Sequence, residues 1–128
     1  MKRSEKDKKV ILVVEDEPAI AQVCLRTLAA DGFEVDVAVN GAIAQDMLAE
    51  KEYDLCLIDI RTPIMNGKEL YEHIVKEFSE SANKVIFTTG AVLDDRLVSM
   101  LKETKRPYLP KPFTPDELRA IVQKVLKG

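Results

Sequence analysis

Short apolar runs alternate along the chain with longer segments in which apolar residues recur every three or four positions. Val10 to Val14 is unbroken and rich in β-branched residues. It is too short for a helix, so it predicts a buried strand. Ile20, Val23, Cys24, Thr27 and Leu28 then recur at helical spacing, and Asp31-Gly32 predicts the end of that helix. Phe33 to Val39 alternates apolar with polar positions, the pattern of a strand covered less completely. Asn40-Gly41 can cap a second helix carrying Ile43, Met47 and Leu48. Leu55 to Ile60 predicts a third strand, and Leu70, Ile74 and Phe78 form the stripe of a third helix. Val85 to Thr89 predicts a fourth strand, Leu93, Leu97 and Leu101 a fourth helix, and Pro107 to Leu109 a very short fifth strand. Thr114-Pro115-Asp116-Glu117 opens the last helix with a capping box, and Leu118, Ile121, Val122, Val125 and Leu126 are its buried stripe.

Five strand–helix units in succession imply an α/β fold, a parallel sheet with helices on both faces. Such sheets place their sites in the crevice beyond the carboxyl ends of the strands. The chemistry is therefore sought just after each apolar run.

Composition narrows the picture. A chain of 128 residues suits one domain with one core. A net charge of -3 gives no nucleic-acid footprint, and no apolar run approaches the ~20 residues of a membrane span. Residues 1–8 are charged and lack the apolar centre of a signal peptide, so they read as a disordered leader. Cys24 and Cys56 sit in apolar stretches without metal-site spacing. They read as buried free thiols, which fits a reducing cytoplasm.

Acids gather at the predicted strand ends. Glu15 and Asp16 follow the first strand, and Asp59 falls within Leu57-Ile58-Asp59-Ile60, a run that should otherwise bury no charge. A lone buried carboxylate costs several kcal/mol unless compensated. Two carboxylates ~4 Å apart repel by about 4 kcal/mol at an effective dielectric of ~20. A hard divalent cation removes that repulsion, and carboxylate with backbone oxygen is Mg²⁺ chemistry. Taken singly, Glu15 or Asp16 is more simply a helix cap or a solvated loop acid. Thr89 ends the fourth strand before the small Gly90, and Lys111 follows the fifth within Pro110-Lys111-Pro112-Phe113. Its ammonium can pair with a carboxylate or with phosphoryl oxygens. An in-line phosphoryl transfer needs an oxygen nucleophile, charge neutralisation and hydrogen bonds to the equatorial oxygens, and this ring of groups offers all three.

Val13-Val14-Glu15-Asp16-Glu17, Asp59-Ile60-Arg61-Thr62-Pro63-Ile64-Met65-Asn66-Gly67, Thr88-Thr89-Gly90 and Tyr108-Leu109-Pro110-Lys111-Pro112-Phe113 resemble the response-regulator receiver family. The resemblance runs from Lys9 to the end of the chain, setting a receiver domain at 9–128. It implies a flavodoxin-like (βα)5 fold of strand order 2-1-3-4-5, with Asp59 as phosphoacceptor. Asp16 and Asp59 would hold Mg²⁺ directly with the backbone carbonyl of Arg61, and Glu15 mainly through a metal-bound water. Thr89 would hydrogen-bond the phosphoryl group and Lys111 would pair with it. Tyr108 would be an aromatic switch residue, and Lys111-Pro112 a cis peptide bond. The implied role is a signalling phosphoacceptor rather than an enzyme.

Three departures from the family's common pattern stand out. Glu15 replaces the more frequent Asp, Thr62 stands where Met is common, and Thr104-Lys105-Arg106-Pro107 replaces a small Gly-Ala step. The last alters the surface where partners dock. A haloacid-dehalogenase-type phosphatase would need a second Asp two residues after the nucleophile, where this chain has Arg61. A nucleotide or flavin module would want a glycine- or hydroxyl-rich first turn, not Glu15-Asp16-Glu17. A pseudo-receiver would lack an acid, Thr89 or Lys111.

The expected partners are a histidine kinase or phosphotransfer domain, and a downstream protein or fused kinase. The chain is expected to act as a monomer or weak dimer in the cytoplasm, without direct nucleic-acid or membrane contact. The last stripe ends at Leu126, so output is expected through protein–protein contact unless the chain is a fragment. Arg61 and Ala91 are expected to flank the pocket mouth. His73 and the Lys102, Lys105 and Arg106 group read as solvated helix positions, and Met47, Met65 and Met100 as core fillers.

Overall fold

The computed structural model describes residues 8–62, 64–90 and 94–127. Residues 1–7 of the expected leader, Pro63, Ala91 and Leu93 lie outside these. The strands are β1 (Val10–Val14), β2 (Glu34–Ala38), β3 (Leu55–Asp59), β4 (Val85–Thr89) and β5 (Tyr108–Pro110). The helices are α1 (Pro18–Ala30), α2 (Gly41–Glu50), α3 (Gly67–Glu77), α4 (Asp95–Thr104) and α5 (Pro115–Lys127), and a 3-10 turn at Ser81–Lys84 precedes β4. All paired strands are parallel, in the order β2-β1-β3-β4-β5.

Strand alternation explains the layering. Val10, Leu12, Val14, Cys56, Ile58, Val85 and Phe87 pack on one face with Leu48 of α2, Leu70 and Ile74 of α3 and Met100 of α4. Ile11, Val13, Leu55, Leu57 and Ile86 pack on the other with Cys24 and Leu28 of α1 and Leu118, Val122 and Val125 of α5. Cys24 and Cys56 are thus buried on opposite faces, and burial pushes both thiols up to about 12. No helix among the described residues is long and apolar enough to cross a membrane.

The helix ends follow the local signals. Asn40 accepts from the Ile43 amide at 2.8 Å. Thr114 and Glu117 form the capping box of α5, at 2.9 and 3.1 Å. Gly32 has φ +93, a conformation costly for residues with a Cβ.

Several expectations need correction. Val23 and Ile43 are each 41% exposed, because α1 and α2 bury narrower stripes than the periodicity suggests. In α4 the buried residue is Met100, with Leu97 and Leu101 packed at the edge of the core. β5 begins one residue later than expected, since Pro107 has no amide to give the ladder. His73 is half-buried between α2 and α3, its Nδ1 3.3 Å from Gln45 Nε2 and its ring against Phe78. Arg106 is not a solvated charge, for its Nε donates to the Val85 carbonyl at 2.9 Å.

Candidate functional site

The order 2-1-3 makes the chain reverse direction across the sheet between β1 and β3, opening a crevice beyond their carboxyl ends. The pairing Val14↔Ile58 puts the residues that follow, Glu15 and Asp59, side by side. Both are buried, at 3% and 4% exposure. Two adjacent buried carboxylates are untenable without a cation, and Lys111 supplies one. Its Nζ lies 2.7 Å from Glu15 Oε1, 2.7 Å from Asp59 Oδ2 and 3.4 Å from Glu17 Oε1. Burial works against the ammonium, but the hydrogen bonds it donates to Asp59 and Glu15 outweigh this and hold Lys111 above the usual lysine range. Burial raises the Glu15 carboxyl, and Lys111 only partly offsets this.

The rest of the Asp59 environment comes from the loop after β3. Asp59 Oδ1 accepts the Arg61 amide at 2.9 Å, while the Arg61 side chain is exposed. The Thr62 hydroxyl donates to the Met65 carbonyl at 3.0 Å, and Asn66 with Glu69 forms a capping box that starts α3. Gly67 closes the loop, its amide 2.9 Å from the Ile60 carbonyl. A Cβ there would lie 2.6 Å from the Ile60 Cα, so no larger residue fits without moving the backbone beside Asp59.

Thr89 is buried at the end of β4, and its carbonyl accepts the Lys111 amide at 3.1 Å. The Tyr108 hydroxyl donates to the same carbonyl at 3.3 Å, with the ring half-buried against the α2/α3/α4 face. Burial raises the Tyr108 phenol, and the nearby Asp59 charge adds to this. The Lys111-Pro112 bond is cis.

The structure therefore brings together Glu15, Asp59, Thr89, Lys111 and Tyr108, with the Arg61 backbone. Asp16 is placed differently. It is exposed, and the acids with carboxylate oxygens within 4.8 Å of one another are Glu15, Glu17 and Asp59. The cause is the extended backbone entering α1, with Glu17 at φ -89 and ψ 112. Alternate side chains of an extended segment share a side, so 15 and 17 face Lys111 and 16 faces away. Spacing by two across Glu15 and Glu17 was the available signal for Glu17. Hard oxygen donors such as the Glu15 and Asp59 carboxylates fit a small divalent cation. Among the described residues no buried side-chain nitrogen or oxygen lacks a partner.

A family model for the response regulator receiver domain matches residues 11–123. The sensor histidine kinase TmoS of Ectopseudomonas mendocina is 34% identical over 123 residues, which are 95% of this chain and 12% of that protein. The regulatory protein AtoC of Escherichia coli K12 is 35% identical over 121 residues, 91% of this chain and 25% of that protein. The chain thus spans a quarter or less of these curated relatives. A CheY-like response regulator receiver domain protein from Methanospirillum hungatei JF-1 superposes with TM-score 0.86 at 27% identity, covering 94% of this chain and 95% of that one. The signal receiver domain of a signal transduction histidine kinase from Syntrophus aciditrophicus gives 0.84 at 27% identity, covering 94% and 91%.

Proposed function

Because the chain belongs to the response regulator receiver domain family, we propose that Asp59 accepts a phosphoryl group from the phosphohistidine of a histidine kinase or phosphotransfer domain. The observation that carries this reading is the buried Asp59 carboxylate, paired with Lys111 at 2.7 Å and aligned by the Arg61 amide at 2.9 Å. An Asp59 oxygen attacks phosphorus in line, the phosphorus–nitrogen bond breaks, and its electron pair returns to the donor imidazole. The product is an acyl phosphate. Lys111 then pairs with the phosphoryl oxygens, and the Thr89 hydroxyl donates to one of them.

Mg²⁺ fits this site. Glu15, Asp59 and the Arg61 carbonyl are the oxygens that would hold it, and Asp16, which faces away from Lys111 in this structure, would join them only by turning inward. When bound, the ion neutralises charge on the carboxylates and phosphoryl oxygens. The reading has a direct test. Incubation with labelled acetyl phosphate and Mg²⁺ is expected to label the wild-type chain and leave Asp59→Asn unlabelled. Equal labelling of both would remove Asp59 from its role.

Self-directed dephosphorylation completes the reading. The Arg61 side chain is exposed, two residues beyond Asp59, and in this reading it flanks the path of water to the phosphoryl group. Arg61→Ala leaves the backbone amide and carbonyl in place. It is expected to change the dephosphorylation rate severalfold and leave Mg²⁺ affinity nearly intact, measured by label loss and by metal titration. An unchanged rate would exclude the side chain.

Output is assigned to the face formed by α4, β5 and α5, where a protein target or fused kinase would read the state of Asp59. Relatives include a sensor histidine kinase and the DNA-binding transcriptional regulator NtrC, so the wider protein context differs among them. Cytoplasmic residence accords with the two buried free thiols.

A further inference from the structure

Glu17 is the acid at this site to which the function gives no task. Its carboxylate reaches Lys111 at 3.4 Å, yet its side chain is 61% exposed against 3% for Glu15 and 6% for Asp59. It stands at the mouth, sharing the wall of a cleft of about 340 Å³ with Gly90, Lys111, Pro112 and Phe113. Its position is set by the chain. The Glu17 amide donates to Glu15 Oε2 at 3.1 Å, and Pro18 begins α1 immediately after. The arm therefore leaves a backbone anchored to the buried acid.

Three carboxylates surround one ammonium. Two of them, Glu15 and Asp59, are buried and hold Lys111 at full hydrogen-bond distance. The third adds a longer contact from solvent. A phosphoryl group on Asp59 would require Lys111 to turn toward its oxygens and would add negative charge beside Glu17. In both respects Glu17 favours the unphosphorylated arrangement. It offers Lys111 a competing partner, and it repels the incoming charge.

We propose that Glu17 is a positioning residue that works as an electrostatic brake, holding Lys111 in the resting site and disfavouring the phosphoryl-bound one. This rests on the reading of Asp59 as phosphoacceptor. Glu17→Gln preserves size and removes the charge, and an exposed arm of this kind carries no fold.

The test is a beryllofluoride titration of the full chain in Mg²⁺, followed by backbone amide NMR. Glu17→Gln is expected to bind about three- to tenfold more tightly than wild type, the scale of one like-charge contact in a partly solvated site. The gain should shrink as ionic strength rises from about 0.02 M to about 0.5 M, because the contact is open to screening. The titration is run at saturating Mg²⁺ for each protein, because the charge that repels the anion also attracts the cation, and Glu17→Gln is expected to lose Mg²⁺ affinity by about the same factor as it gains for beryllofluoride. Unchanged or weaker beryllofluoride binding, or a gain that ignores salt, would overturn the brake. A loss of Mg²⁺ affinity of about a hundredfold or more would instead make Glu17 a metal ligand and overturn the brake. Asp59→Asn run in parallel separates the two readings. If that variant binds beryllofluoride like wild type, the phosphoacceptor reading fails; if it does not bind, the result for Glu17 stands on its own.

Discussion

Saturating Mg²⁺ is expected to raise the melting temperature of the wild-type chain, and Asp59→Asn is expected to raise it with no metal added. Three carboxylates share one ammonium in the metal-free site, and burial already lifts the Glu15 carboxyl. A cation that binds only the folded chain stabilises it by about 2.7 kcal/mol at a hundred times its dissociation constant. For a domain of this size that amounts to a shift on the order of 10 °C. Asp59→Asn removes one carboxylate, keeps an oxygen for the Arg61 amide, and leaves Lys111 its contacts with Glu15 and Glu17. A rise of a few degrees is expected, with a much smaller further response to Mg²⁺. The trade is function for stability, as at other strained polar sites. Thermal melts of both proteins with and without metal check this. If neither metal nor substitution moves the transition, the acids do not form the charged cluster described.

The second large effect concerns signal transmission. Thr89→Ala is expected to leave Asp59 open to phosphorylation, because nucleophile and Lys111 remain. It should largely disconnect the site from α4 and Tyr108. Tyr108 is tied to the Thr89 carbonyl in the resting chain. Phosphoryl oxygens would draw the Thr89 hydroxyl inward, and the vacated space would admit the Tyr108 ring. Moving an equilibrium from 1:99 to 99:1 takes about 5.5 kcal/mol. One hydrogen bond to a charged group is worth about 1.5–3 kcal/mol. Losing it should lower the equilibrium ratio of active to resting arrangement roughly ten- to a hundredfold. Amide NMR of residues 94–105 and Tyr108 with beryllofluoride reads this directly. Equal responses in wild type and Thr89→Ala would break the proposed coupling, even with Asp59 modified normally.

Most of the architecture was legible because the cues are local and agree with one another. Unbroken runs such as Val10–Val14 and Val85–Thr89 can only be strands buried on both faces, and capping residues at Asn40 and Thr114 mark where helices begin. Asp59 and Lys111 were legible because a charge inside or beside an apolar run demands a partner. What stayed hidden depends on directions that spacing alone does not give. Asp16 and Glu17 differ only in which side of an extended segment each projects from. Arg106 looks like a surface charge until the shortness of β5 leaves the Val85 carbonyl for its guanidinium. His73 lies off its helix stripe, yet α2 packs close enough for Gln45 to meet it.

The central claim is that Asp59, and no neighbouring acid, carries the phosphoryl group. The most direct measurement treats the chain with acetyl phosphate and Mg²⁺, reduces the acyl phosphate with borohydride, and reads the converted residue by tandem mass spectrometry. The account predicts homoserine at position 59, dependent on Mg²⁺ and absent when metal is chelated. Conversion at Glu15, Asp16 or Glu17, or conversion at position 59 indifferent to metal, would contradict it.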